Sequence, residues 1–290
     1  MHRIQQVFFG GGFDMDKAIV LGTFEFIGFH YSSYLLERGY EVTGVRYPES
    51  NEVYSEMMQL EVGRNANFNE VEHHIWNLSN LENPSVIFID YYDLYIKQKE
   101  QEVFQSLISP ILQEKRESIK KSGSKIVITL PIQLLAKTKE REGKHSINSF
   151  LDMLKGEEIP IQIFYLPTIY GPWQPNEFLF QKSLLGILDN ENLNEKRISP
   201  REWKEDAIFV KDVVKEIVHL TNDNHSSFTY LLKSNLKNHW EQCANYLSLN
   251  IKSEPILFEI EENQPPIKTV IQKVNFQEGL NEQRKVLKFF

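Results

Sequence analysis

Residues 17–28, KAIVLGTFEFIG, decide the fold. Ala18–Leu21 is a short apolar run rich in β-branched residues, the pattern of a strand buried on both faces. Gly22, Glu25 and Gly28 follow at three-residue spacing, and a helical pattern begins at Phe26. Strand, glycine turn and helix in that order form a phosphate-cradling loop, in which backbone N–H groups and a helix N-terminus face an anion. This is a dinucleotide-binding fingerprint with one letter changed, because Glu25 stands where the middle glycine belongs. A glycine there lets phosphate approach the main chain; a glutamate brings a Cβ and a like charge. At ~4 Å two like charges repel by about 1 kcal/mol in water and about 4 kcal/mol at an effective dielectric of 20. Either Glu25 turns to solvent and merely occupies the loop, or the cofactor is weakened, displaced or lost. The expectation is weakened or lost binding.

Strand-like and helix-like segments alternate beyond this loop. Phe26–Arg38 places Ile27, Tyr31, Tyr34 and Leu35 on one helix face, and Gly39 closes it as a C-cap. Glu41–Arg46 is expected as the second strand, with His74–Leu78 and Val86–Ile89 as further short strands. A long helix is expected around Glu102–Lys121, closed by Ser122-Gly123, followed by strands at Lys125–Leu130 and Ile161–Leu166. Such repeats, joined by right-handed crossovers, predict an α/β fold with a Rossmann-type doubly wound parallel sheet. Ligands of that fold sit at the carboxyl ends of the strands, where Gly22–Gly28 also lies.

The last third changes character. Pro172–Arg201 is rich in Asn, Glu and Pro, with an apolar helical patch at Phe178–Leu188. A strand at Ala207–Val210, helices at Val213–Leu220 and near Trp240–Leu247, a polar stretch at Glu259–Lys268 and a final helix ending in Phe290 follow. The expected organisation is a dinucleotide-binding unit over 15–171 and a small C-terminal substrate lobe over 172–290, with elements that return to the sheet. Residues 1–14, MHRIQQVFFGGGFD, fall outside the pattern. They are expected to be a tail or a misassigned start, since codons for Gly10–Gly12 can spell a ribosome-binding site just upstream of Met15.

The 290 residues carry a net charge of −8, which argues against nucleic-acid and anionic-membrane partners. No apolar run approaches the roughly 18 residues a bilayer span needs. A single cysteine, Cys243, excludes an internal disulfide framework and a cysteine-based zinc site, so a cytoplasmic location is expected. Cys243 lies in a helical stretch and is expected to be buried and inert.

Five segments in order, GTFEFIG with LLERGYEVTGV, LPTIYGPWQP, EDAIFVKDVV, HWEQCANYL and FQEGLNEQRKVLKFF, resemble the extended short-chain dehydrogenases/reductases, the family of NAD-dependent nucleotide-sugar epimerases and dehydratases. The resemblance spans Lys17 to Phe290. It implies cofactor contacts at Gly22, Phe24, Glu25, Phe26, Ile27, Gly28, Arg46, Asn77 and Leu78. Arg46 ends the second strand where NAD-users carry an acid; it is either a solvated charge or a partner for a 2′-phosphate, which favours NADP over NAD. Asn77 matches an adenine-contacting position usually held by Asp. Asp212 matches an acid that caps a helix, and Tyr170 belongs to a structural Tyr-Gly-Pro turn. Homodimers of the family pair through two helices, here near Glu102–Lys121 and Asn148–Lys155.

The chemical positions depart from the family. Asp90, Tyr91 and Tyr92 stand where small residues line the cofactor, and such side chains would fill the channel. Family catalysis uses a Tyr acid/base, a Lys four residues on and a Ser or Thr that orients the substrate. The helix GKHSINSFLDMLK holds no Tyr-x-x-x-Lys, leaving Thr129 and His145 as weak catalytic candidates. His73 and His74 are expected on opposite strand faces without an acidic partner, so no metal site is expected. A nucleotide-sugar or other small-molecule binder without Tyr/Lys catalysis is the leading expectation. An active NADP-dependent epimerase or oxidoreductase and a non-catalytic scaffold are the alternatives.

Overall fold

The computed structural model describes residues 16–48, 52–78, 81–136, 144–156, 158–188, 201–249 and 264–289. Residues 1–14 and the first half of the polar 259–268 stretch lie outside the described residues. Eight strands form one sheet: β1 (Lys17–Leu21), β2 (Glu41–Arg46), β3 (Phe68–Glu72), β4 (Val86–Asp90), β5 (Lys125–Pro131), β6 (Ile161–Leu166), β9 (Phe228–Ser234) and β10 (Ile267–Val270). Their order is β10-β9-β6-β5-β4-β1-β2-β3, and every pair is parallel. The chain winds outward from β1 to β3, returns to β4 on the other side of β1 and continues to β10. That reversal between β1 and β4 is the switch point of a doubly wound sheet, and the expected fold is the one observed.

The helices follow from the same apolar patterns. They are α1 (Phe26–Glu37), α2 (Glu52–Val62), α3 (His73–Leu78), α4 (Tyr91–Ile96), α5 (Ser109–Ser122), α6 (Lys144–Lys155), α7 (Leu179–Leu188), α8 (Val210–Asp223), α9 (His239–Tyr246) and α10 (Phe276–Val286). The long helix expected around Glu102–Lys121 is a π-helical stretch, Glu100–Ile108, running into α5; Pro110 sits in the first turn of α5 and Gly123, at φ +70°, closes it. A short parallel pair, β7 (Thr168–Tyr170) and β8 (Ala207–Phe209), opens the C-terminal lobe. Tyr170, Phe180, Leu184, Phe209, Trp240 and Leu280 form a core there separate from the sheet core. Cys243 lies in it, fully buried, and burial raises its thiol pKa, so it stays protonated. Among the described residues no helix is long and apolar enough to cross a membrane.

One expectation fails near the sheet edge. His74–Leu78 is part of a short helix, α3, and the strand is the preceding Phe68–Glu72. β3 is an edge strand with no fully buried residue, so it lacks the apolar signal of the central strands, whereas α3 contributes a buried Trp76. His73 and His74 therefore begin a helix and do not alternate on a strand. Their acidic partner, expected to be missing, is the adjacent Glu72, whose ligand atoms lie within 4.8 Å of both imidazoles.

Candidate functional site

The fingerprint loop folds as its letters require. Gly22, at φ +84°, turns the chain out of β1, and a Cβ on it would stand 2.6 Å from the Tyr47 ring. A Cβ on Gly28 would stand 1.9 Å from the Gly22 carbonyl oxygen, so only glycine lets α1 cross β1 this closely. Both surviving glycines are needed for packing whether or not a phosphate binds.

What faces the loop is the chain itself. Gly22 through His30 are all buried by the chain's own residues. Tyr47, 2% exposed, lies across Gly22 from the end of β2. Glu25 is the N-cap residue of α1 but makes no side-chain cap bond to it. Its carboxylate instead accepts from the Lys97 ammonium, just beyond α4. The N-terminus of α1 is capped from elsewhere, because the Ile27 N–H donates to Asp93 Oδ2 at 2.9 Å. A helix N-terminus carries roughly half a positive charge and unsatisfied N–H groups, so it attracts an anion. Here the anion is a carboxylate of the same chain. Glu25 thus neither turns to solvent nor stands unpaired.

Helix α4 brings these groups in. Asp90 caps it by accepting from the Asp93 N–H at 3.1 Å, and Asp93 and Lys97 share one helix face at i, i+4. Tyr91 and Tyr92 are buried; the Tyr92 hydroxyl donates to the Pro167 carbonyl at 2.9 Å and accepts from Ile169 N–H at 3.0 Å. All three side chains of this run, Asp90, Tyr91 and Tyr92, are packed inside the protein. Burial, partly offset by hydrogen bonds to Asp93, raises the Asp90 pKa; burial and the Asp90 charge raise that of Asp93 well above the usual range. Burial pulls Lys97 down, but the Glu25 and Asp93 charges more than compensate and keep its ammonium protonated.

The remaining expected contacts are dispersed. Phe24 packs edge-on to Phe68 at 6.3 Å, and Phe26 is buried. Arg46 pairs with Glu70 at 3.0 Å and stacks over the Phe24 ring at 5.0 Å. These contacts hold the Arg46 side chain half-buried at the end of β2. Asn77 and Leu78 lie on α3. Thr129 is buried in β5, with Oγ1 3.4 Å from both the Ile89 carbonyl and Asp90 Oδ1. His145, in the first turn of α6, is exposed, so the two catalytic candidates do not share a buried site. Asp212 does not cap its own helix; its carboxylate accepts from Lys273 N–H at 3.1 Å and ties α8 to the segment after β10. Tyr170 is buried between His239 and Gln272, as a structural residue should be.

The residues missed by sequence reasoning are Asp93, Lys97 and Tyr47. DYYDLYIK carries the one local signal for Asp93 and Lys97, an Asp N-cap followed by an acid and base at i, i+4. A second concavity, about 510 Å³, opens beside the carboxyl ends of β6 and β9, bordered by Trp203, Lys204, Asp206, Leu231, Lys233 and Asn238. Burial raises the Asp206 pKa to about 6, against the pull of hydrogen bonds from Ser234 and Ala207 N–H at 2.7 and 2.9 Å.

No protein-family profile matches the chain, and no curated protein matches it. Solved structures do. UDP-glucuronic acid 4-epimerase from Bacillus cereus, in complex with NAD, superposes with a TM-score of 0.67 at 16% identity, over 94% of this chain and 96% of that one. WbmH from Bordetella bronchiseptica, with NAD+, gives 0.62 at 16% identity over 95% and 99%. dTDP-glucose 4,6-dehydratase from Bacillus anthracis, with NAD, gives 0.61 at 16% identity over 94% and 96%. The fold is that of extended short-chain dehydrogenases/reductases.

Proposed function

We propose that this chain is a non-redox binder of a nucleotide-sugar or related small molecule, built on an epimerase/dehydratase fold whose dinucleotide seat the chain closes with its own side chains. The observation that carries this reading is the Asp93 carboxylate on the α1 N-terminus within a fully buried loop. The residues present do not fit a dinucleotide. A pyrophosphate would have to displace Asp93 from Ile27, meet Glu25 and push Tyr47 off Gly22, while the 2′-phosphate candidate Arg46 is held by Glu70. The cleft at β6 and β9 supports the binding half of the reading. It lies at strand carboxyl ends, where ligands of this fold sit, and its volume is within the usual range for small-molecule sites; Lys204 and Lys233 stand in its lining beside the acids Glu205, Asp206 and Glu241, a wall of mixed charge suited to a polar ligand.

Thermal unfolding with added ligands tests the proposal. NAD and NADP are expected to leave the melting temperature unchanged. UDP- or dTDP-sugars are expected to raise it, with stabilisation of about 2.7 kcal/mol at a hundred times Kd. Charge reversal at both Lys204 and Lys233 should abolish that gain. Stabilisation by NADP would return the chain to the active oxidoreductases. Indifference to every nucleotide, with a stable complex recovered on sizing, would make it a scaffold.

A further inference from the structure

The closed seat leaves a chemical problem two residues deep. Asp90 and Asp93 are both buried, at 1% and 0% exposure, and the bond from the Asp93 N–H brings the Asp90 carboxyl group onto the first turn of α4, beside Asp93. Asp90 Oδ1 accepts from the Asp93 N–H and Asp93 Oδ2 from the Ile27 N–H. Asp90 Oδ2 and Asp93 Oδ1 are then left without a partner among the described residues. Carboxylate oxygens only accept, so two ionised groups cannot satisfy each other. One proton between them makes a donor of one oxygen and satisfies both.

The surrounding charge calls for the same proton. Three carboxylates, Glu25, Asp90 and Asp93, meet one ammonium, Lys97, which is committed to Glu25. The other titratable groups facing the pair are Tyr31 on α1, Tyr47 beyond β2 and Tyr92 on α4, all buried phenols held neutral by burial. Glu177 acts on Lys97 and adds further negative charge. Against this the α1 N-terminus supplies only a partial positive charge.

We propose that Asp90 and Asp93 share a single proton, and that this carboxyl–carboxylate pair is the lock that keeps α4 on the α1 N-terminus and external anions out of the seat. The inference rests on the closed-seat reading. The proton resides between Asp90 Oδ2 and Asp93 Oδ1 and leaves to solvent when the pair ionises fully. Two adjacent charges then repel, and the contact between α4 and Ile27 loosens as the medium becomes alkaline. The lock is thus a pH-sensitive gate whose closed form is the protonated one.

Infrared spectroscopy of the whole chain with carbon-13-labelled aspartate tests this. The spectrum is recorded about one pH unit above the values to which Glu202 and Asp206 are raised, about 7 and about 6. A protonated-acid carbonyl band from aspartate is expected in the wild type and should be lost in Asp93→Asn. Absence of the band in the wild type overturns the proposal without needing any variant to fold. Amide exchange of Ile27 supplies the second readout. Asp93→Asn keeps an acceptor for Ile27 and a permanent donor toward Asp90, so its protection should persist and lose its alkaline decline. Asp93→Ala should exchange roughly tenfold to a hundredfold faster. An alkaline decline of equal size in the wild type and Asp93→Asn would also overturn the lock. Dinucleotide binding by the wild type would instead refute the closed seat, so the two failures are distinguishable.

Discussion

Glu25 shows how little a single letter says without its partner. Its charge was legible in the sequence, and so was its place at the middle glycine of the fingerprint. Its direction was not, because Lys97 lies 72 residues away and binds it from beyond α4. Gly28 is the opposite case, since its packing role follows from the local motif. Gly28→Ala would drive a Cβ into the Gly22 carbonyl at 1.9 Å. Overpacking of this kind costs typically 1–3 kcal/mol, and the backbone contact places this variant at about 3 kcal/mol or more, read from urea unfolding midpoints. Tyr92→Phe removes the hydroxyl that bridges the Pro167 carbonyl and Ile169 N–H, and leaves both groups buried. A loss of about 1–3 kcal/mol is expected in the same measurement.

At the scale of elements, legibility followed burial. β2 and β6 were located to the residue, β6 as the apolar run of a central parallel strand and β2 from the Gly39 C-cap that precedes it. α4 was not seen as a helix, because all six of its residues are buried and no polar face marks a helical period. β3 escaped for the converse reason, with an edge strand's half-exposed side chains. Helix α7 carries its own test. Its Leu179 N–H donates to the buried Glu202 carboxylate at 2.9 Å, and Trp240 Nε1 approaches the other oxygen at 3.4 Å. Burial raises the Glu202 pKa to about 7, more than the hydrogen bonds from Leu179 and Trp240 lower it. A carboxyl raised in the folded state favours folding fully below its unfolded value, about 4.5, and that contribution disappears as pH climbs through about 7. Glu202→Gln should remove this dependence. Relative to the variant, the wild type should lose on the order of 3 kcal/mol across that window, measured by urea unfolding at its two ends.

Across the whole molecule, the lobe is tied together by buried amides that no periodicity encodes. Gln283 of α10 is fully buried; its Nε2 donates to Gln174 and Gln181 at 2.7 Å each, and its Oε1 accepts from Gly171 N–H at 3.1 Å. Gln283→Leu would orphan all three partners and is expected to cost about 3 kcal/mol or more, with amide exchange rising first around Gly171. The sequence alone determined the winding of the sheet, because alternating apolar strands and helices with one glycine loop allow few topologies. It also determined that a Cβ and a carboxylate stand where the fingerprint has its middle glycine. What occupies the N-terminus of α1 was decided only by the tertiary structure. A helix N-terminus demands an anion but does not specify which, and the carboxylate that answers, Asp93, arrives from 66 residues along the chain.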